Sequence, residues 1–442
     1  MAEATLKRDL GLLQSTAINM IDMVGIGPFI VLPLVIQYLK GPYFLYAWIA
    51  GALISLVDGL IWSELGSAYP AAGGSYNFLR EAYPGKAGKL MSFLFVWQTL
   101  IQAPLVAASG AIGFAQYFAY LVPVNEWQKK IVSAMVIVLL TILLYRKINS
   151  IGKIGLLLWS GVLLMFTWIF VGYFSAQHHT GFMHEFVNTD FNFSQLIAAG
   201  LGMATVKTIY SYLGYYNVCH LGGEIKNPGK VIPQSMLISI ALIAGLYLMM
   251  NICVAEVIPW QQAAQSEFVI STYIESIYGT AAANAATVLV LWIAFASLFA
   301  VLLGYSRVPY AAAVDGQFFS AFAKLHPTKN FPYVSLLTLA GAAFIMSMLF
   351  KLTQVISAIL AMRIIVQFIG QAFGVVLLRK RHGRSHLVFR MPLYPLPVII
   401  AITVWLWIFV STGKEFVISG CIVMLGGVIA FAIKEMLNRK NA

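Results

Sequence analysis

Residues 24–29 read VGIGPF and lie in the middle of an apolar run that extends over about 14–39. A helix in lipid cannot leave backbone N–H and C=O groups unpaired, so an unwound stretch at mid-membrane survives only where it is buried or lines a cavity. Pro28 removes a backbone donor and crowds the turn before it, while Gly25 and Gly27 permit dihedrals closed to other residues. A second stretch of this kind, YSYLGYYN at 210–217, sets Gly214 among hydrogen-bonding side chains inside the run 194–220. One Gly-x-Gly-Pro run alone would only kink a helix or let two helices pack closely. Two interruptions at corresponding places of two five-helix halves point to a transporter built from inverted repeats. The halves share no convincing residue-level similarity, so the repeat is inferred from position.

The rest of the chain agrees with a lipid solvent. Of 442 residues, 60% are hydrophobic and 10% charged, whereas a soluble domain carries about 25% charged residues. A spanning helix needs about 20 mostly apolar residues. Twelve runs qualify, near 14–39, 44–68, 90–121, 130–146, 153–174, 194–220, 232–257, 281–307, 333–350, 354–379, 393–412 and 416–436. Lys and Arg outnumber Asp and Glu 28 to 16, for a net charge of +12. They sit in short clusters between apolar runs, not on one polar face, which argues against a nucleic-acid partner. With the N-terminus inside, Lys7, Arg8, Arg80, Lys86, Lys89, Arg146, Lys147, Lys226, Lys230, Arg307, Lys324, Lys329, Arg379, Lys380, Arg381, Arg384, Arg390, Lys434, Arg439 and Lys440 gather on the cytoplasmic side. Only Lys40, Lys129, Lys130, Lys351 and Lys414 fall outside. The positive-inside rule therefore puts both termini in the cytoplasm.

Several function classes find no support. The opening MAEATLKRDLGLLQ lacks a short apolar core with a cleavage site, so no removable signal peptide is expected. Cys219, Cys253 and Cys421 lie in or beside apolar runs, as buried thiols do, with no disulfide or metal-ligand spacing. His178, His179 and His184 share an outer segment without a third ligand at fixed spacing, so neither a metal nor a cofactor is expected. No convergent nucleophile or acid–base cluster marks an enzyme. Twelve spans with paired breaks argue against the symmetric filter of a channel. The tail after about 436 is too short for the signalling domain of a transport-derived receptor.

At these residues the chain resembles the amino acid–polyamine–organocation (APC) superfamily, near its L-type amino acid transporter branch. The most specific stretch is YSYLGYYNVCHLGGEIKNPGKVIP at 210–233, with Glu224, Ile225, Lys226, Asn227, Pro228 and Pro233 in the loop pattern. The second is SELGSAYPAAGGSYNFLREAYP at 63–84, with Glu64, Pro70, Gly73, Gly74 and Tyr76. The resemblance implies an all-α leucine-transporter fold with spans 1 and 6 broken: a first repeat over 14–174, an inverted copy over 194–379, and two further helices over 393–436. It implies a secondary active permease that moves amino acids by alternating access, as a sodium-independent exchanger (antiporter) or coupled to protons. Carried over, the substrate carboxylate would meet the amides of Ile26 and Gly27 beside Gly25. The ammonium would meet carbonyls of Tyr210, Ser211 and Leu213 beside Gly214, with Tyr210 and Tyr212 lining the cavity. Many relatives carry Ser where this chain has Ile26, and Pro28 offers no N–H. Amines without a carboxylate, such as polyamines, therefore stay open as an alternative.

Ionisable residues within spans are functional candidates by default. Lys153 resembles the lysine that stands in for a bound cation in sodium-independent relatives and holds span 1 against span 5; the other reading is a lysine snorkelling from a helix end. Asp22 precedes the first break and would pair with Lys153, carry a coupling proton or attract a cationic substrate. Lys207 precedes the second break, where it would disfavour a cationic side chain or pair with an acid elsewhere. Asp58 and Arg363 have no partner assignable from sequence, and a structural role is expected for Glu64.

Expected surroundings are a bacterial inner membrane, a small amino acid or amine substrate, and a monomer or homodimer. Some relatives join a single-span glycoprotein through a cysteine between spans 3 and 4, but the segment 121–129 has none. Non-reducing electrophoresis of the protein from its native membrane is expected to show no disulfide-linked subunit.

Overall fold

The structure is a computed structural model that describes residues 6–146, 148–383 and 387–440; Lys147 and Arg384, counted above among the inner charges, lie outside them. Regular structure among the described residues is helical, apart from two isolated bridges. Among the described residues, eight helices are long and apolar enough to cross a membrane: Gly41–Ala68, Gly85–Leu121, Glu126–Leu144, Ser150–Ser175, Pro228–Val257, Thr280–Val314, Val355–His382 and Lys414–Met436. The pair Leu12–Met23 and Gly27–Tyr38, bent by 42°, makes a ninth. Tyr333–Leu349 and Leu396–Ser411 are apolar but shorter. The chain is a multi-span membrane protein.

Composition along each helix decides its depth. Of the apolar window in Val355–His382, 78% is buried, and in Thr280–Val314 72%. Both carry polar residues inward, where only protein can satisfy them. Lys414–Met436 is apolar all round and only 17% buried, so it faces lipid. The connections 175–193 and 258–280 hold short helices, Phe182–Asn188 and the pair Trp260–Gln265 and Val269–Tyr278.

At one end of the bundle the two stretches that carry the family resemblance meet. Ala72 bridges Leu221, and the Gly73 N–H donates to the His220 carbonyl at 3.0 Å. Buried ion pairs fasten the same end. Arg307 Nη2 donates to both Glu224 carboxylate oxygens, at 2.9 and 3.3 Å. Arg379 grips the Glu64 carboxylate, with Nε at 2.7 Å from Oε1, and the Met391 N–H donates to Oε2 at 2.7 Å. Glu64 therefore has the structural role expected of it.

Removing one partner of a buried pair strands the other charge, at a cost of about 3–5 kcal/mol. Glu64→Ala is expected to lower the unfolding midpoint of the detergent-solubilised protein by a corresponding amount. Glu126→Ala, at the exposed pair with Lys129, is expected to leave the midpoint unchanged.

Candidate substrate site

The first break follows from its residues. Leu12–Met23 ends where the Val24 N–H closes on the Met20 carbonyl at 2.8 Å, and the helix restarts at Gly27 with Pro28 in its first turn. A missing N–H costs nothing there, so Pro28 starts a helix more than it disrupts one. A side chain on Gly25 would put its Cβ 2.6 Å from Ser297 Oγ, and that hydroxyl donates to the Asp22 carbonyl at 3.3 Å. The N–H groups of Gly25, Ile26 and Gly27 meet no acceptor among the described residues.

At the second break, Leu201–Tyr212 ends and Asn217–His220 begins. Gly214 turns the chain with φ +126°, and a Cβ there would lie 2.7 Å from the Met23 nitrogen and 2.8 Å from the Asp22 carbonyl carbon. The two breaks thus touch backbone to side, and side chains stitch them. Asn19 Oδ1 accepts from the Val218 N–H at 2.9 Å. Asn217 Nδ2 donates to Asp22 Oδ2 at 3.0 Å and to the Ala300 carbonyl at 2.8 Å. The Tyr247 hydroxyl lies 2.7 Å from the Met23 carbonyl and 3.0 Å from that of Ser211. The carbonyls of Tyr210 and Leu213 accept nothing from the described residues.

Between the breaks lies a small cavity of about 50 Å³. Asp22, Gly25, Ile26, Gly27, Tyr210, Ser211, Leu213 and Gly214 all line it. Free amides at the positive end of one half-helix suit an anion, and free carbonyls at the negative end of another suit a cation. The cavity therefore offers complementary ends to one dipolar molecule.

The structure corrects two expectations and narrows a third. Tyr212 does not line the cavity: its hydroxyl donates to the Trp48 carbonyl at 3.2 Å, and its ring packs on Trp48 and Tyr247. Two residues along a helix turn a side chain by about 200°, so Tyr210 and Tyr212 face opposite ways. Tyr210 faces inward and bonds Ser109 Oγ at 2.8 Å. Lys153 is exposed and makes no ion pair with Asp22. Its helix, Ile148–Ser175, meets Leu12–Met23 through Gly152, against Gln14 and the preceding Leu10, and Gly155, against Ile18, which turns Lys153 away. Lys207 is buried outside the cavity lining, with Nζ 3.4 Å from Ser357 Oγ and no carboxylate in ion-pair range among the described residues.

Other residues enter the site that sequence reasoning did not place there. Ser297, Tyr305, Tyr216 and Arg363 line the cavity. Arg363 had signalled itself as a charge in an apolar run, but its partners lie 58 to 261 positions away. Asp58 stays apart from the cavity, accepting from Tyr215 Oη at 2.5 Å and Trp405 Nε1 at 3.1 Å. Among the described residues no group of three His, Cys, Asp or Glu is arranged to hold a metal ion.

Gly214→Ala is expected to abolish uptake in proteoliposomes, since it meets both a positive φ and the Met23 backbone. Gly245→Ala, which adds a methyl group to open space, is expected to leave uptake unchanged.

Known proteins resemble the chain along its whole length. A serine/threonine exchanger of Bacillus subtilis is 26% identical over 99% of this chain and 98% of its own. A branched-chain amino acid permease of the same organism is 23% identical over 99% of this chain and 95% of its own. The human cystine/glutamate transporter is 25% identical over 98% of this chain and 87% of its own. The profile described as amino acid permease matches residues 10–432. A helical membrane bundle with two facing broken helices, matched over nearly its full length by that profile, belongs to the amino acid permease family of the APC superfamily: it is a transporter of amino acids and not an enzyme.

Proposed function

We propose that the protein exchanges amino acids across a membrane by alternating access at the cavity between the two breaks. The observation that carries this reading is the pairing of unfilled groups. The amides of Gly25, Ile26 and Gly27 have no acceptor and the carbonyls of Tyr210 and Leu213 no donor, and all of these residues line one cavity. The α-carboxylate binds the first set at the start of Gly27–Tyr38. The ammonium binds the second set beside Asp22, and Tyr210 closes over the substrate from the side of Ser109.

Exchange draws its support from the serine/threonine exchanger among the relatives. Independence of sodium no longer finds support in Lys153, whose exposed side chain does not occupy the place of a cation, and it rests on the likeness to exchangers alone. The polyamine alternative is disfavoured by the cavity itself, since buried Arg363 repels a polycation.

The same reading completes the architecture. Nine spans, the two shorter apolar helices and the interrupted stretch from Leu201–Tyr212 to Asn217–His220 correspond to the twelve expected runs. They support a leucine-transporter fold with repeats over 14–174 and 194–379 and two further helices over 393–436. The bias of Lys and Arg supports cytoplasmic termini, in a bacterial inner membrane, for a monomer or homodimer.

Purified protein in liposomes preloaded with mixed unlabelled amino acids is expected to take up labelled amino acid equally well with and without external sodium. Empty liposomes should take up much less. Equal uptake into empty and loaded liposomes would argue for uniport or symport, and uptake of polyamines alone would remove the carboxylate site from Ile26 and Gly27.

A further inference from the structure

The amino acid reading of the cavity leaves one of its charges without a task. Arg363 ends the helix Leu352–Arg363, just before a wider π-type turn over Ile364–Ile369, a distortion that recurs at functional sites. Its side chain is 2% exposed, and it lines the same cavity as Gly27 and Ser211. Nε donates to Gln102 Oε1 at 2.5 Å, Nη2 to Tyr305 Oη at 2.7 Å, and Nη1 to Tyr216 Oη. All three partners are neutral.

A guanidinium has five N–H donors, so three bonds orient it and two N–H groups remain. Among the described residues no carboxylate lies within ion-pair distance of it. Asp22, which shares the cavity, is held by Asn217 and lies against Gly214 at the ammonium end. A charged group at membrane depth is costly and is kept where it pairs or serves a substrate. The frame of Gln102, Tyr216 and Tyr305 holds the fork in place through neutral groups, and the counter-charge that acts on it, Asp22, stands across the cavity beyond ion-pair distance.

We propose that Arg363 determines substrate specificity, and that the amino acid carried has an anionic side chain whose carboxylate pairs with this guanidinium. The inference rests on the amino acid reading of the cavity. With the α-carboxylate on the amides of the first break and the ammonium on the carbonyls of the second, only the side chain is left to meet Arg363. A neutral apolar side chain would leave the charge unpaired when the cavity closes to water, and a cationic one would add a like charge. A carboxamide accepts a hydrogen bond but brings no charge, whereas a carboxylate matches the fork with two charge-assisted bonds.

The test uses the full chain in liposomes, with labelled glutamate, aspartate, glutamine, asparagine, leucine and lysine each offered against the same mixed internal pool. Glutamate or aspartate is expected to outcompete its own amide by about tenfold or more. Arg363→Gln is expected to erase that preference while glutamine uptake persists, and Arg363→Lys to restore part of it. Should the wild type carry glutamine, leucine or lysine as well as the acids, Arg363 does not select an anion, although the amino acid reading stands. Retention of the acid preference in Arg363→Gln would overturn the proposal as well. If no amino acid is carried, the reading of the cavity falls first and the inference with it. Should the variants fail to fold, the comparison of acid with amide in the wild type decides alone.

Discussion

Breaking a helix inside a membrane frees backbone groups that no lipid can satisfy, and this constraint shapes the centre of the molecule. Each break finds partners in the other half of the chain. Asn19 from the first half takes the N–H of Val218, just past the second break, and Asn217 returns a bond to Asp22. Tyr247 sets one hydroxyl against the ends of both half-helices. A hydroxyl has a single proton, so the carbonyls of Met23 and Ser211 share it. The two interruptions are thus joined into one hydrogen-bonded unit.

The groups that this stitching leaves unpaired are as informative as those it pairs. The open amides lie at the start of one half-helix and the open carbonyls at the end of another, where the helix dipoles add to their partial charges. The Ser211 hydroxyl, on the cavity wall, is also without a partner among the described residues. An unpaired buried polar group is expensive, and several around one cavity are tolerable when a passing molecule satisfies them.

Much of this was legible in the sequence because glycine and proline act locally. VGIGPF and YSYLGYYN mark their own breaks, and the dipole argument follows from which half-helix ends there. What depends on orientation was harder to read. Tyr212 was placed with Tyr210, though two steps along a helix reverse the face. Tyr216 lies beyond the break, where helical periodicity no longer predicts direction, and it turns inward. Lys153 was read from a resemblance, and the packing of Gly152 and Gly155 on the neighbouring helix turns it out. Arg363 was visible as an intramembrane charge, but its frame is drawn from Gln102, Tyr216 and Tyr305, on three other segments. No local pattern brings those segments together.

Glu224 is used twice. Its backbone carbonyl accepts the N–H groups of Asp9 and Leu10 at 2.9 and 3.0 Å, and its carboxylate holds Arg307. The Leu10 carbonyl in turn accepts from Lys226 at 2.9 Å. One residue just past the second break thereby ties the N-terminal segment to the end of Thr280–Val314. A displacement of the Glu224 backbone therefore loads both attachments at once, so the N-terminal segment and the helix that carries Arg307 share one mechanical anchor.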